Sequence, residues 1–157
     1  MSSIVIAIDP GAIGGIAWSE DGKVSAVPMP AGMSEQVEFL RKLGAGVPGE
    51  NLWVFIEDTG TYRPGNSGPA ACTFARHCGH LECMLYCLVM PAVKVRPQLW
   101  MKSIGTMPKD KTERKNKIKE FVARAYPHLR VTLKTADALA ILWYAVNSSR
   151  LKPGACP

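Results

Sequence analysis

Three acids fall at positions where chemistry is easier to explain than solubility. Asp9 closes the β-branched run Ile4-Val5-Ile6-Ala7-Ile8, Glu57 closes Leu52-Trp53-Val54-Phe55-Ile56, and Asp137 is followed at once by Ala138-Leu139-Ala140-Ile141-Leu142. Strand ends of open α/β sheets are where sites form. A carboxylate in such apolar company is costly unless it is paired, protonated or bound to a metal. Three acids brought from distant parts of a chain can converge on hard divalent cations, which prefer oxygen ligands. Two such ions about 4 Å apart can activate a water and stabilise the leaving oxygen in phosphodiester hydrolysis. Each acid also has a plainer explanation. Asp9 before Pro10-Gly11 can cap a turn, Glu57 beside Asp58 can be solvated, and Asp137 can answer the dipole of a helix N-terminus. Taken together, and with the charge distribution described below, they point to phosphate chemistry.

The elements that must position these acids can be read from periodicity and punctuation. Ile4–Asp9 is a strand of the kind buried on both faces. Pro10-Gly11 breaks it, and Gly14–Trp18 forms a second strand. Asp21-Gly22 is a hairpin signal leading to a third strand at Lys23–Val27, ended by Pro28 and Pro30. Ser34 is placed to cap a helix carrying Val37, Leu40 and Leu43 at helical spacing and stopping at Gly44 and Gly46. Leu52–Glu57 is the fourth strand, followed by a Gly/Pro-rich loop over Thr59–Pro69. The pattern then predicts a helix over Ala70–Val89, a short strand over Ala92–Val95, and a short helix from Pro97 to near Gly105. A basic amphipathic helix follows over Lys109–Tyr126, with Ile118, Phe121, Val122 and Ala125 inward. A last helix runs from Thr135 through Asn147. A meander of strands followed by alternating helix and strand is a mixed α/β sheet with helices on both faces.

The 157 residues are expected to form one domain over 1–150 with a flexible tail at 151–157. Charge is unevenly spread. Residues 1–62 hold eight acids and three bases, whereas residues 63–157 hold five acids and sixteen bases. A strongly basic second half suggests a polyanionic partner, most simply nucleic acid. Lys102–Arg124 alone carries eight bases and three acids. Phosphates would neutralise those bases and release counterions. Arg63, Arg76 and Arg96 extend the patch, and Tyr62 can stack on an unpaired base. The longest apolar run, Ala138–Val146, is too short to span a bilayer, so no membrane role is expected. With no export signal and five cysteines, reduced thiols in a cytoplasmic setting are expected.

The ordered set Ile6-Ala7-Ile8-Asp9-Pro10-Gly11, Phe55-Ile56-Glu57 and Ala136-Asp137-Ala138-Leu139-Ala140 resembles the RuvC-type Holliday-junction resolvases. It is most similar to the branch found in bacteriophages and chloroplasts. Phe74-Ala75-Arg76 with Gly79-His80-Leu81-Glu82 resembles that branch's helix after the Glu strand. Arg96-Pro97-Gln98-Leu99-Trp100-Met101-Lys102 resembles its Pro-x-x-Trp-x-Lys segment. The similarity covers residues 4–146.

The resemblance implies a ribonuclease-H-like fold with a mixed five-stranded sheet. It implies an endonuclease that resolves four-way or otherwise branched DNA as a homodimer, leaving 5′-phosphate and 3′-hydroxyl ends. Asp9, Glu57 and Asp137 would then hold Mg2+, with Mn2+ an alternative. One departure matters: the family's fourth ligand, Asp or His one turn before the last acid, is replaced here by Lys134. An ammonium cannot ligate magnesium. The site then runs on three carboxylates, or uses Lys134 as a cation near the scissile phosphate. A catalytic lysine at the start of the basic helix is also implied. Lys115 fits its place, with Lys111 the alternative. Lys102, Lys109, Lys111, Arg114 and Lys115, together with Arg63, Arg76 and Arg96, form the expected DNA-binding set. The implied location is nucleoid-associated, or a host cytoplasm for a phage-encoded chain.

Cys72, His77, Cys78, His80, Cys83 and Cys87 crowd into sixteen positions, but no C-x-x-C knuckle is among them, so zinc is not expected. Cys83 and Cys87 are expected to behave as small buried apolar residues, and the resemblance implies that the helix face around Cys83, Met84 and Cys87 is a subunit contact. Two other functions fit the same residues: a junction-binding protein with little or no cleavage, and a broader flap or RNA–DNA hybrid nuclease.

Overall fold

The structure is a computed structural model that describes residues 3–60 and 67–148. Strands β1 (Ile4–Asp9), β2 (Gly15–Glu20) and β3 (Lys23–Pro28) form an antiparallel meander. Asp21 and Gly22 both take positive φ, 47° and 85°, between the paired residues Glu20 and Lys23. That is the backbone a two-residue hairpin requires. Helix α1 (Met33–Gly44) leads through a short 3-10 turn (Gly49–Asn51) into β4 (Leu52–Glu57). Next come α2 (Gly68–Cys87), β5 (Ala92–Val95), α3 (Pro97–Ile104), α4 (Lys111–Ala125) and α5 (Ala136–Asn147). The five-stranded sheet has the order β3-β2-β1-β4-β5, with β1, β4 and β5 parallel. This is the mixed sheet the sequence implies.

Alternation along the strands divides the apolar residues between two cores. Ile4, Ile6, Ile8, Val54 and Ile56 pack with Leu40 of α1 and with Leu81, Met84 and Leu85 of α2. Ala7, Ala17 and Phe55 pack on the opposite side with Trp100 of α3, Ile118 and Val122 of α4, and the apolar length of α5. Helices therefore cover both faces. Small side chains decide how near α5 lies. Ala7 and Ala17 are register partners, and they meet a helix carrying Ala136, Ala138 and Ala140. At Gly15 a Cβ would stand 2.6 Å from the carbonyl oxygen of Lys134, so only glycine admits the start of α5 at that distance. Among the described residues, no helix is long and apolar enough to cross a membrane.

Several boundaries differ from those the sequence suggests. α1 starts at Met33 with Gly32 at the cap, so Ser34 lies inside the helix. The first turn is braced instead by Glu35, whose Oε2 accepts the Ala31 amide at 3.2 Å. α4 starts two residues later than expected, because the Asp110 carboxylate accepts the Glu113 amide at 2.9 Å and caps it there. Ala125 is exposed, since Ile118 and Val122, four apart, already fill the inward stripe. Cys83 and Cys87 are also exposed rather than buried. α2 turns Leu81, Met84 and Leu85 to the core, which puts the two cysteines on its outer side and withdraws Met84 from any outward-facing contact. The tail at 151–157 lies outside the described residues.

Candidate active site

Two of the three acids are placed by strand register. β1 and β4 are parallel, with Ala7 opposite Phe55 and Ile8 opposite Ile56. One step further along each strand stand Asp9 and Glu57, level with each other at the C-terminal end of the sheet. Alternation puts both on the side of Ala7 and Phe55, the face that α5 covers. The third acid is delivered by helix packing. Asp9 pairs with Gly15 across the hairpin, and Gly15 abuts the backbone of Lys134 and Thr135. Asp137 lies in the first helical turn after that contact. One face and one end of the sheet thus receive all three.

Their surroundings differ. Glu57 is 8% exposed, and its Oε1 accepts the indole N–H of the fully buried Trp100 at 3.2 Å. Desolvating a carboxylate is expensive, and a donor from within the core offsets part of that cost. Pro97 at the first turn of α3 fixes the start of the helix that presents Trp100. Asp9 and Asp137 are half-exposed. The donor set is all carboxylate oxygen, which suits Mg2+ or Mn2+ and not a thiophilic ion. Among the described residues, however, no three Asp, Glu, His or Cys side chains are gathered as a group that could hold a metal ion.

The basic residues separate into groups. Lys102 on α3, Lys109 before α4 and Lys111 at its first turn are exposed, and Lys115 is half-buried one turn further on. Arg114 is half-buried, and one guanidinium nitrogen lies 3.4 Å from the carbonyls of Pro108 and Lys109, so part of its donor capacity is spent on its own helix start. Lys117 donates to the Thr106 carbonyl. Arg96 is exposed at the cap of α3 and, with Lys94 and Asp58, lines an open cleft of about 910 Å³ beyond the end of β4. Arg76 is exposed on α2, whose residues Ala75 and Gly79 line a cleft together with Pro10 and Glu57. Lys134 is exposed immediately before α5, with its main chain held against Gly15. Arg63 and Tyr62 lie outside the described residues.

Two side chains in this region escape a reading by motif alone. Trp100 belongs to the Pro-x-x-Trp-x-Lys segment, but its partnership with Glu57 spans 43 positions and has no local signal. His77 looks like one more member of a Cys/His cluster. It stands four residues before Leu81 and seven before Met84, however, and that helical spacing marks it as inward-facing.

A five-stranded α/β sheet of this order with helices on both faces is a ribonuclease-H-like fold. Among solved structures, it is similar to Thermus thermophilus RuvC in complex with a Holliday-junction substrate. That match has a TM-score of 0.59 and 17% identity and covers 97% of each chain. A second Thermus thermophilus RuvC structure matches at a TM-score of 0.50 and 18% identity, covering 91% of this chain and 93% of that one. At these identities the likeness is one of fold, and the fold is that of RuvC. No protein-family model matches the sequence, and no curated protein matches it.

Proposed function

We propose that the chain is a divalent-metal-dependent endonuclease that resolves Holliday junctions and acts as a homodimer. The observation that carries this is the placement of Asp9 and Glu57 side by side on parallel strands, on the face where the first turn of α5 delivers Asp137. The RuvC structure of the same fold is in complex with a Holliday-junction substrate, and the exposed bases of α3 and α4 supply a surface for phosphates. Asp9, Glu57 and Asp137 would hold Mg2+ or Mn2+. Bound there, such ions lower the pKa of water and neutralise charge on the scissile phosphate. The chain's own residues do the rest. Trp100 fixes one oxygen of Glu57, Lys115 or Lys111 meets the charge that grows on the phosphate, and Lys134 supplies a cation where a fourth acid would add negative charge. A two-fold dimer suits a four-way junction, whose symmetric strands need two sites. Products would carry 5′-phosphate and 3′-hydroxyl ends.

A second reading, a junction-binding protein that does not cut, rests on Lys134, an ammonium where the resemblance expects a further metal ligand. Synthetic four-way junction, linear duplex, flap and RNA–DNA hybrid, each offered with Mg2+ and with Mn2+, separate the possibilities. Junction cleavage well above the other substrates supports the resolvase. Tight junction binding without product under either ion supports the binding protein, and preferred cutting of flap or hybrid supports the broader nuclease.

A further inference from the structure

Asp9 is followed by a connection of only five residues, 10–14, before β2 begins. Within it, Gly11 has φ +111°, and the Gly14 amide returns to the Gly11 carbonyl at 3.0 Å. A Cβ at Gly11 would meet the ring of Phe74 on α2 at 3.2 Å, so the helix presses directly on the loop. The Gly11 amide points at Nδ1 of His77, 2.9 Å away, and the other ring nitrogen of His77 lies 3.3 Å from Oε1 of Gln36 on α1. Gln36 is 3% exposed, and its amide nitrogen donates to the Pro30 carbonyl at 2.8 Å.

These contacts admit one proton arrangement. A backbone N–H only donates, so Nδ1 of His77 must offer its lone pair, and the ring proton sits on Nε2. Nε2–H then donates to Gln36 Oε1, the oxygen left when the Gln36 amide nitrogen is committed to Pro30. Each link of the chain Gly11, His77, Gln36, Pro30 then runs from a donor to an acceptor. The chain ties the turn after Asp9 to α2 and α1, both on the far side of the sheet from α5.

We propose that neutral His77 is a positioning residue for the Asp9 carboxylate, clamping the Gly11 amide so that the exit of β1 presents Asp9 in one orientation. The proposal rests on Asp9 serving as a ligand in the site described above. Burial and the neighbouring His80 hold the His77 ring below its ordinary value of 6.5, which keeps it in the form the clamp needs. Partners that orient a ligand from outside the metal's own contacts are worth about 10-fold to 100-fold in metal affinity.

The test uses the full chain and Mn2+ as the probe. Nitrogen NMR of the ion-free protein near neutral pH should show the His77 ring protonated at Nε2 alone; the other tautomer, or an average of both, overturns the clamp. His77→Asn keeps an acceptor where Nδ1 stands, whereas His77→Leu removes it. Mn2+ affinity, followed by paramagnetic relaxation, should fall about 10-fold or more in His77→Leu and stay near wild type in His77→Asn. Exchange of the Gly11 amide should quicken only in His77→Leu. Wild-type affinity and exchange in His77→Leu would overturn the proposal while leaving the nuclease reading intact. If His77→Leu does not fold, the tautomer and the His77→Asn affinity decide the matter. If the wild-type chain cuts no junction, the functional reading fails, and these measurements still report on the clamp.

Discussion

Glu57 and Trp100 show how one buried carboxylate is made tolerable and directional at once. The indole N–H reaches Oε1 from a helix on the same face as α5, and the aromatic body completes the core beneath the site. Trp100→Phe removes the donor and leaves a small cavity in the core, so its cost combines the lost hydrogen bond with lost packing. Urea denaturation should show a loss of about 1–3 kcal/mol, and cleavage should fall by more than stability does. His77 gives a prediction with a definite sign. Its folded value lies below the ordinary 6.5, so the unfolded chain binds the extra proton first. Its contribution to stability is therefore complete above 6.5 and is lost as pH falls through the lower folded value. The groups around it are His80 on its own helix, which adds repulsion, and the uncharged Gln36 and Gly11. Denaturation midpoints of wild type between about pH 5 and 7 should drop more steeply than those of His77→Asn. Asp9, Glu57 and Asp137 stand out in the sequence as site candidates because each borders an apolar run. Their supporting residues do not, because Trp100 and His77 bond across 43 and 66 positions.

At the scale of elements, the placement of Asp137 depends on where α5 begins. Gly15 lets the Lys134 carbonyl sit where a side chain would otherwise be, and a Cβ there would also lie 2.8 Å from the Val27 carbonyl. Both obstacles are backbone and cannot rotate away. Gly15→Ala should destabilise the chain by about 1–3 kcal/mol and shift the first turn of α5 from Asp9. The expected readout is cleavage reduced well beyond the unfolded fraction, measured at a temperature where circular dichroism shows the variant folded. β1 and β4 match their expected bounds to the residue, since burial on both faces leaves unbroken apolar runs, whereas the more exposed β3 and β5 are marked by the turns around them. Helix starts were less legible, because capping groups compete. Glu35 displaced Ser34 as the brace of α1, and Asp110 moved the start of α4. The cysteines of α2 were misplaced because residue type suggested burial, while helical phase had already assigned the inward positions to Leu81, Met84 and Leu85.

For the whole molecule, the charge split now has a location. The acid-rich first part supplies Asp9 and Glu57 at the sheet end, and the base-rich second part supplies the exposed Lys102, Lys109 and Lys111 along α3 and the start of α4. Arg114 and Lys117 are partly engaged with main chain. Replacing Lys102, Lys109 and Lys111 together by Ala should weaken junction binding and flatten its dependence on salt, by about 0.9 in log K against log salt for each phosphate no longer neutralised. Three carboxylates at one end of the sheet are proposed to form a single site that cuts branched DNA. The most direct measurement compares Mg2+-dependent cleavage and binding of a four-way junction by wild type, Asp9→Asn, Glu57→Gln and Asp137→Asn. Wild type should cut the junction, while each variant binds it and yields no product. A variant that cuts as wild type does would contradict the site, and a wild type that cuts linear duplex equally well would contradict the function.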